Sequence, residues 1–435
     1  MDVESGSLHV VDRLAFEVAS RMEQGLDKSD IVSALSSGYS VQELEEVFDE
    51  MHALSQAGLL DAAAPPPSTP VFNHPVVKSL CLHIAHDCNL RCSYCFAAEG
   101  TYMGDRALMS EQVAKKALDF LMRQSKGRRH LEVDFFGGEP LINFGVVKKT
   151  VDYGRQLEKQ FGKEIRFTLT TNAYHVTNEM VDFINREMKN LVISIDGREH
   201  IHNAERKNAA GEGSYKRVVA NAQKLIAGRG DKEYYIRGTY TANNLDFSED
   251  VLAIADLGFD QISVEPVVTK GPLALTQEHI PQIRQEYEKL GELIEERSAA
   301  GKGFHFFHFM VDFTSGPCLN KRLRGCGAGT EYAAVTPSGD IYPCHQFVGK
   351  EEFKMGNVLD QTFDPSVGAP FMDCHVLNKP QCGTCFAKYH CSGGCAAAAY
   401  NENGDIMKPH LVSCEIQRAR MDTAIGLYIR KNFAV

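Results

Sequence analysis

Three cysteines in one short segment are the residues of this chain best suited to chemistry. Cys88, Cys92 and Cys95 follow the spacing C-x3-C-x2-C, and Tyr94 stands directly before the last of them. Three thiolates can hold three irons of a [4Fe-4S] cluster, which normally takes four protein ligands. The fourth iron is then open to a small molecule. From this spacing alone, a zinc site or a set of buried thiols is the alternative.

Polar residues and glycines follow several strand-like stretches later in the chain. The segment Gly137-Gly138-Glu139-Pro140 ends one of them, Asn172 follows another, and Ser194 and Asp196 lie at the end of a third. Glycine lets the backbone approach a ligand closely, and a carboxylate such as Glu139 accepts hydrogen bonds from an ammonium group. The alternatives are a plain turn at Asp196-Gly197 and strand-end capping by Asn172.

Taken together, these motifs resemble those of the radical S-adenosylmethionine (SAM) superfamily. The resemblance implies that the open iron binds the amino and carboxylate groups of SAM, and that Cys88, Cys92 and Cys95 are the catalytic cluster ligands. It also implies that the Gly-Gly-Glu-Pro segment contacts the SAM amino group and that Tyr94 lines the adenine. Polar contacts to the ribose and carboxylate are expected from Asn172, Ser194 and Asp196. By its charge alone, Arg237 is a candidate carboxylate partner or a surface ion-pair residue.

The elements that position these residues are predicted from an alternation of strand-like and amphipathic helical segments over residues 79–300. This alternation predicts an α/β fold with a parallel sheet covered by helices, and helices are expected at 111–125 and 177–187. Six such units suit a partial (β/α)6 TIM-type barrel, with the chemistry at the carboxyl ends of the strands. The predicted strands are 80–86, 131–136, 165–170, 191–195, 233–240 and 261–266.

Residues 1–64 form a separate unit by their pattern. Ser7–Val11 alternates like a strand, and helices are predicted at about 12–24 and 28–36. A third helix begins after Ser40, which forms a capping box with Glu43, and ends at Gly58. This order resembles a winged-helix-like peptide-recognition module, which would bind a leader peptide on a sheet edge; its first strand is missing or very short. A helical cap on the next domain is the alternative. The Pro-rich stretch 65–78 is predicted to be a linker.

Residues 301–414 lack the β/α rhythm and are rich in Cys, Gly and turns, so we expect a metal-stapled domain. Its cysteines resemble those of the SPASM domain in order and spacing. The resemblance implies two auxiliary [4Fe-4S] clusters, with zinc as the alternative. One would be held by Cys326, Cys344 and Cys395, and the other by Cys382, Cys385, Cys391 and Cys414.

Three further cysteines do not belong to either of these two ligand sets or to the C-x3-C-x2-C segment. Cys318 is expected either to complete the first auxiliary cluster or to leave an iron open for a substrate thiolate, and the first role is slightly favoured. Cys81 and Cys374 are expected to be buried structural thiols. The aromatic stretch 303–309 is predicted to be core or a strand lining the cavity, and a C-terminal helix is predicted over 415–435.

Composition limits the partners and the location. The chain has 435 residues, 13 cysteines and a net charge of -11. This charge disfavours nucleic acid and anionic membranes as partners. We find no run long enough to span a bilayer and no signal peptide, so a cytoplasmic protein with reduced thiols is expected.

The segments 316–332 and 335–349 resemble the maturases of six-cysteines-in-forty-five (SCIFF) peptides and related ranthipeptides. The resemblance implies SAM cleavage to a 5'-deoxyadenosyl radical, hydrogen abstraction, and closure of a thioether in a Cys-rich precursor peptide with a leader. An auxiliary cluster would accept the surplus electron, and an external flavodoxin or ferredoxin would supply electrons. The alternatives are an anaerobic sulfatase-maturating (formylglycine-forming) enzyme, another SPASM peptide-crosslinking maturase, and a non-catalytic electron carrier.

Overall fold

The computed structural model describes residues 1–64, 76–313 and 319–433. Most of the predicted linker and Cys318 lie outside the described residues. No helix in the described ranges combines the length and the apolar character that crossing a membrane requires.

The described residues form fifteen α-helices, numbered in chain order. They are α1 (Arg13–Glu23), α2 (Lys28–Leu35), α3 (Val41–Gln56), α4 (Glu111–Gln124), α5 (Phe144–Phe161), α6 (Asn178–Glu187), α7 (Glu199–Glu205), α8 (Tyr215–Ala227), α9 (Phe247–Asp256), α10 (Ile280–Ala299), α11 (Leu319–Arg324), α12 (Ala369–Asp373), α13 (Lys388–Cys391), α14 (Ala396–Asn403) and α15 (Leu411–Asn432).

The strands are numbered in the same way. They are β1 (Ser79–His86), β2 (Leu90–Cys92), β3 (Ala107–Leu108), β4 (His130–Gly137), β5 (Glu164–Thr171), β6 (Asn190–Ser194), β7 (Arg206–Asn208), β8 (Glu233–Tyr240), β9 (Gln261–Pro266), β10 (His305–Phe306), β11 (Tyr332–Val335), β12 (Asp340–Tyr342), β13 (Gly356–Asn357) and β14 (Thr362–Phe363).

The six predicted barrel strands are all present and pair in parallel in the order β1-β4-β5-β6-β8-β9. Helices with apolar faces separate them along the chain, and the predicted helices at 111–125 and 177–187 are α4 and α6. Along β4, β5 and β6 every second residue is buried, and these side chains form one continuous core with the helices that includes the stacked rings of Phe135 and Phe167. The predicted partial barrel is therefore confirmed.

The sheet continues past the predicted barrel boundary on both sides. β10 adds to β9 in parallel, and β11 pairs in parallel with β1, with Ser79 opposite Tyr332. Short antiparallel pairs then add β12, β13 and β14. The C-terminal Cys-rich region is thus joined to the barrel by backbone hydrogen bonds beside the strand that precedes the three-cysteine segment.

The N-terminal unit is helical. α1, α2 and α3 enclose a small core of Val18, Ile31, Leu35 and Leu44. The capping box between Ser40 and Glu43 is present, and Gly58 has a left-handed φ of 68° just after α3.

The predicted strand at Ser7–Val11 is wrong, since the described residues 1–64 contain no strand. Alternation alone cannot form a strand when no neighbouring strand supplies hydrogen-bond partners. The module therefore presents three helices without the sheet of a winged helix.

The C-terminal helix begins earlier than predicted. α15 starts at Leu411, because His410 caps it by accepting a hydrogen bond from the Ser413 backbone N–H. This places Cys414 in its first turn. The aromatic stretch 303–309 forms only the two-residue β10 and one 3-10 turn, with Phe304 and Phe306 in the core.

Candidate functional site

The three-cysteine segment directly follows β1. Cys92 ends β2, which is paired in antiparallel fashion with β7, so that Cys92 lies opposite Arg206. The Arg91 guanidinium donates hydrogen bonds to the carbonyl oxygens of Cys88 (2.5 Å) and Leu90 (2.8 Å). All three cysteines line one cavity of about 250 Å³ at the carboxyl ends of the barrel strands. We call this space the thiol cavity.

The donor set of the thiol cavity fits an iron–sulfur cluster. Cys88 Sγ accepts hydrogen bonds from the Leu90 backbone N–H (3.4 Å) and from Asn172 Nδ2 (3.5 Å), the kind of contact that stabilises thiolate sulfur. Burial raises the pKa of Cys88 to about 12 and that of Cys92 to about 11. Without a metal these thiols are therefore neutral at pH 7, and binding iron would deprotonate them.

The thiols are not arranged around a single ion. Among the described residues, no three His, Cys, Asp or Glu side chains converge closely enough to hold one metal ion. In a cubane cluster each cysteine binds a different iron atom, so its ligands do not meet at one point.

The glycines of the Gly-Gly-Glu-Pro segment hold the cysteine segment against the end of β4. A Cβ on Gly137 would lie 2.4 Å from the Ala85 carbonyl oxygen, and one on Gly138 would lie 2.1 Å from the Asp87 carbonyl oxygen. Gly137 also has a φ of 120°. Only glycine fits at either position. Both glycines line the thiol cavity, as predicted, and they also allow two backbone segments to pack together.

Glu139 lies behind the cavity wall. Its buried carboxylate accepts hydrogen bonds from Thr171 Oγ1 (2.8 Å), the Asn172 backbone N–H (2.8 Å) and the Leu141 backbone N–H (3.0 Å). Burial raises its pKa to about 7. Pro140 begins the 3-10 turn that follows. In this structure Glu139 therefore joins the ends of β4 and β5, and its predicted contact with an ammonium group stays a prediction.

Asp196 also lies behind the wall, with no exposed surface. Its carboxylate accepts hydrogen bonds from Tyr94 Oη (2.7 Å), Arg206 Nε (2.8 Å) and the Thr239 backbone N–H (3.0 Å). The Arg206 guanidinium in turn lies 5.4 Å from the centre of the Tyr94 ring. Asp196 thus fixes two residues that do line the thiol cavity.

The remaining predicted contacts lie on the wall itself. Tyr94, Asn172, Ser194 and Arg237 all line the thiol cavity together with the three cysteines. The structure therefore brings these residues to one place from four different segments of the chain, and their individual contacts with a cofactor stay predictions.

Three further lining residues were missed by the sequence analysis. Arg206 carries no distinctive sequence signal, because only the pairing of β7 with β2 brings it to the site. Glu265 is the penultimate residue of β9, and its carboxylate lies close to Arg420 Nη2 (3.3 Å) and His308 Nε2 (3.5 Å). Burial by itself would raise the pKa of Glu265, but the nearby imidazole of His308 and the charges of Arg420 and Arg237 lower it to about 2.

The third missed lining residue is His345. Its position next to Cys344 in the sequence could have identified it. Its ring lies 5.4 Å from that of Phe96 and 5.1 Å from that of Phe136, and Nδ1 is 3.3 Å from Tyr332 Oη. Burial lowers its pKa to about 4, so that its imidazole is neutral at pH 7. His345 places the thiol cavity directly beside a predicted auxiliary-cluster ligand.

The second predicted auxiliary set is brought together. One small cavity is lined by all four cysteines, although Cys382 ends a 3-10 turn, Cys385 lies in the loop after it, Cys391 ends α13 and Cys414 lies in α15. Lys388 and Arg418 line the same cavity, and Arg418 Nη1 lies 3.8 Å from Cys385 Sγ. Cations beside this set favour thiolate ligands.

The three cysteines of the first predicted auxiliary set, Cys326, Cys344 and Cys395, also lie near one another. Burial raises the pKa of Cys344, and the nearby thiols of Cys395 and Cys326 raise it further. Backbone N–H groups point at two of the sulfurs, from Gln346 to Cys344 (3.4 Å) and from Ala398 to Cys395 (3.5 Å). The role of Cys318 stays a prediction.

The two remaining cysteines are buried, as expected of structural thiols. Cys374 donates a hydrogen bond from its thiol to the Ile406 carbonyl oxygen (3.2 Å). Cys81 lies within β1, in the core of the sheet.

Two family models match the chain. One, described as a 4Fe-4S single cluster domain, covers residues 78–220, and the SPASM model, described as an iron-sulfur cluster-binding domain, covers residues 326–386. Among characterised relatives, the mycofactocin maturase MftC of Mycobacterium ulcerans is 26% identical over 340 residues, which are 76% of this chain and 86% of that protein.

Solved structures share the fold. The anaerobic sulfatase-maturating enzyme anSMEcpe with bound AdoMet superposes with a TM-score of 0.68 at 18% identity, covering 81% of this chain and 98% of that one. Streptococcus suis SuiB bound to precursor peptide SuiA gives 0.53 at 17% identity, covering 83% and 87%. This chain therefore contains a match to a 4Fe-4S single cluster domain, followed by a match to a SPASM iron-sulfur cluster-binding domain, and it shares the fold of these solved structures.

Proposed function

We propose that this protein is a radical SAM peptide maturase that joins a cysteine sulfur to a carbon atom within a Cys-rich precursor peptide, forming a thioether. The observation that carries the proposal is the position of the thiol cavity. Cys88, Cys92 and Cys95 line it together with His345, which directly follows Cys344 in the chain. A peptide in this cavity would therefore be near both the SAM-binding cluster and an auxiliary cluster.

The cofactors of this proposal are SAM and three [4Fe-4S] clusters. When bound, the first cluster and SAM would supply a radical able to take a hydrogen atom from an unactivated carbon. Cys88, Cys92 and Cys95 would hold that cluster, while Tyr94, Asn172, Ser194 and Arg237 would orient SAM. The rings of Phe96, Phe136 and His345 line the cavity and would limit the access of water to the radical.

The chemistry balances if the peptide loses two hydrogens for each crosslink. One hydrogen atom leaves the carbon with 5'-deoxyadenosine. The thiol proton would leave to solvent, and an auxiliary cluster, when bound, would supply the acceptor for the remaining electron.

The proposed partners are a Cys-rich precursor peptide with a leader and an external flavodoxin- or ferredoxin-type electron donor, in the cytoplasm. The helical module of residues 1–64 would bind the leader. Its exposed apolar side chains Val10, Val11 and Phe16 support this role, since large apolar groups on a surface favour peptide contacts. SuiB, a protein of the same fold, has been solved with its precursor peptide SuiA.

The test is mass spectrometry of a Cys-rich peptide encoded beside the gene, after incubation with anaerobically reconstituted protein, SAM and dithionite. We expect a loss of two hydrogens per thioether, together with loss of iodoacetamide labelling at the joined cysteine. The Cys88→Ala variant should give no product. An unchanged Cys-rich peptide, combined with formylglycine in a sulfatase-motif peptide, would contradict thioether formation and favour the sulfatase-maturating alternative.

A further inference from the structure

Two cationic side chains line the four-cysteine cavity, which is the cavity of Cys382, Cys385, Cys391 and Cys414. The first is Lys388. Its Nζ pairs with the Glu4 carboxylate and donates a hydrogen bond to the Gly383 carbonyl oxygen (3.1 Å), so its described partners lie outside the cysteine set. The second is Arg418, whose guanidinium contacts one of the four sulfurs directly.

Arg418 reaches the cysteines from α15. Cys414 and Arg418 are four residues apart on this helix, so they lie on the same face about one turn apart. Helical side chains lean toward the N-terminus of their helix, which directs Arg418 back toward Cys414. Its Nη1 lies 3.8 Å from Cys385 Sγ, and among the described residues this is the one hydrogen bond that Nη1 makes. Arg418 therefore contacts one predicted cluster ligand and lies one helical turn from another.

A carboxylate fixes the orientation of this guanidinium. Glu415, one turn before Arg418, accepts hydrogen bonds from its Nε (3.3 Å) and its Nη2, which leaves Nη1 for the sulfur. The Glu415 carboxylate also lies 4.0 Å from Arg284 Nη2 of α10, so two arginines share its charge. Of the described residues, Arg418 belongs to the cavity wall and Glu415 does not. The ion pair therefore turns its positive end toward the cysteines.

A positive charge at this place acts differently on the two oxidation states of a [4Fe-4S] cluster. Four thiolate ligands give the cluster a net negative charge, and reduction by one electron makes it more negative. A neighbouring cation therefore stabilises the reduced state more than the oxidised state, because the attraction grows with the charge of the cluster. A hydrogen bond to a ligand sulfur acts in the same direction. Both effects raise the reduction potential.

We propose that Arg418 raises the reduction potential of the second auxiliary cluster, through its charge and through its hydrogen bond to Cys385. Arg418 is not a ligand in this role and exchanges no electron itself. The proposal rests on the second auxiliary cluster of the proposed function, in which thioether closure releases one electron. A higher potential makes this cluster the better acceptor of that electron.

The test is a redox titration of the anaerobically reconstituted full chain, in which dithionite adds one electron to each cluster and electron paramagnetic resonance measures the reduced fraction. The spectral component that Cys385→Ala removes belongs to the second auxiliary cluster. In Arg418→Gln we expect the equilibrium constant for reducing this component to fall about tenfold, which for one electron is a shift of about 59 mV to lower potential. The other components should keep their wild-type potentials.

Two further variants separate the charge of Arg418 from a purely structural role. Arg418→Lys keeps a cation and should hold the potential near the wild-type value. Arg430→Gln is the matched control, because Arg430 also pairs with a carboxylate, that of Glu295, but lies about 18 Å farther along the same helix. Equal potentials in Arg418→Gln and Arg430→Gln, or an Arg418→Lys potential as low as that of Arg418→Gln, would overturn the proposal.

Glu415→Gln tests the proposal even if Arg418→Gln fails to bind the cluster. It removes a negative charge near the same cluster, so the potential of the component should rise, and an unchanged potential would contradict the proposal. The same titration tests the cofactor set. If Cys385→Ala removes no component, the second auxiliary cluster is absent, and that part of the proposed function falls together with this proposal. A component that is present but has the same potential in Arg418→Gln and in the wild type overturns the role of Arg418 alone.

Discussion

Two buried carboxylates show how single residues organise the thiol cavity without facing it. Glu139 joins the ends of β4 and β5, and Asp196 holds Tyr94 and Arg206. Each accepts three hydrogen bonds from the protein, so each is satisfied in its buried position. In this structure the two carboxylates therefore fix the positions of the residues that shape the cavity.

The close contact at Gly138 gives the first prediction. In Gly138→Ala the new Cβ would meet the Asp87 carbonyl oxygen at 2.1 Å, so the cysteine segment has to move. We expect loss of about one third of the bound iron, because one of three clusters is lost while both auxiliary sites lie elsewhere. Iron and sulfide analysis of the reconstituted protein measures this.

Gly145→Ala is the matched control, since a Cβ at this exposed position in α5 meets nothing within 4 Å. It should keep its full iron content. Full iron in Gly138→Ala would show that the packing of this glycine on the cysteine segment is not needed for cluster binding.

The second prediction concerns the pH dependence of stability at His202. This imidazole is fully buried beside Asp196 and Ser214, and burial lowers its pKa from 6.5 to about 4. In the unfolded chain His202 takes up a proton near pH 6.5, whereas in the folded chain it stays neutral until about pH 4. Its contribution to stability is therefore present above pH 6.5 and is lost as the pH falls.

Between pH 6.5 and 5.5 this loss is at most about 1.4 kcal/mol, the value of one pKa unit. We expect Tm to fall less over this range in His202→Gln than in the wild type. His200→Gln, at an exposed position, should behave as the wild type does. The same fall in Tm in all three proteins would contradict the buried neutral state of His202.

At the scale of elements, the N-terminal turn attaches the helical module to the Cys-rich region. The Glu4 carboxylate pairs with Lys388 Nζ and accepts a hydrogen bond from Tyr389 Oη (2.6 Å), while Val3 packs near Leu323 and Val376. Lys388 is almost fully buried and also lines the four-cysteine cavity. The module is thus held at the wall of the second auxiliary site.

Removing this carboxylate leaves Lys388 buried without its ion-pair partner, which is strongly destabilising. In Glu4→Gln we therefore expect faster proteolytic release of residues 1–64 than in the wild type. Limited proteolysis of the reconstituted protein, followed by gel electrophoresis, gives the rate. Glu23→Gln, at an exposed position of α1, is the control; equal rates in both variants would show that the ion pair does not hold the module.

Elements with strong local signals were predictable from the sequence. The six barrel strands were predicted from short apolar runs separated by amphipathic helices, and α3 from the capping box of Ser40 and Glu43. The strand at Ser7–Val11 was predicted wrongly because a strand also needs a partner. The start of α15 was missed because its cap is a histidine, which is not a usual N-cap residue.

The candidate site was predictable only in part, for a related reason. The cysteines and the Gly-Gly-Glu-Pro segment can be recognised from their spacing in the sequence. Arg206, Glu265 and His345 reach the thiol cavity through contacts between distant parts of the chain, such as the pairing of Cys92 with Arg206. Such contacts have no local pattern, so sequence spacing could not identify them.

At the scale of the whole molecule, one sheet and one helix join the three predicted sites. β11 pairs with β1, so the strand before the cysteine segment contacts the Cys-rich region directly. α15 carries Cys414 in its first turn and Arg420 beside Glu265 farther along. The auxiliary sites and the thiol cavity are therefore connected through one sheet and one helix.

The central claim is that a cluster bound by Cys88, Cys92 and Cys95 has an open iron that binds SAM. The most direct measurement is the electron paramagnetic resonance spectrum of the dithionite-reduced, fully reconstituted protein before and after addition of SAM. We predict that one cluster signal shifts on addition of SAM, and that this signal is missing in Cys88→Ala. A wild-type protein that retains all its iron yet gives the same spectrum with and without SAM would contradict the account.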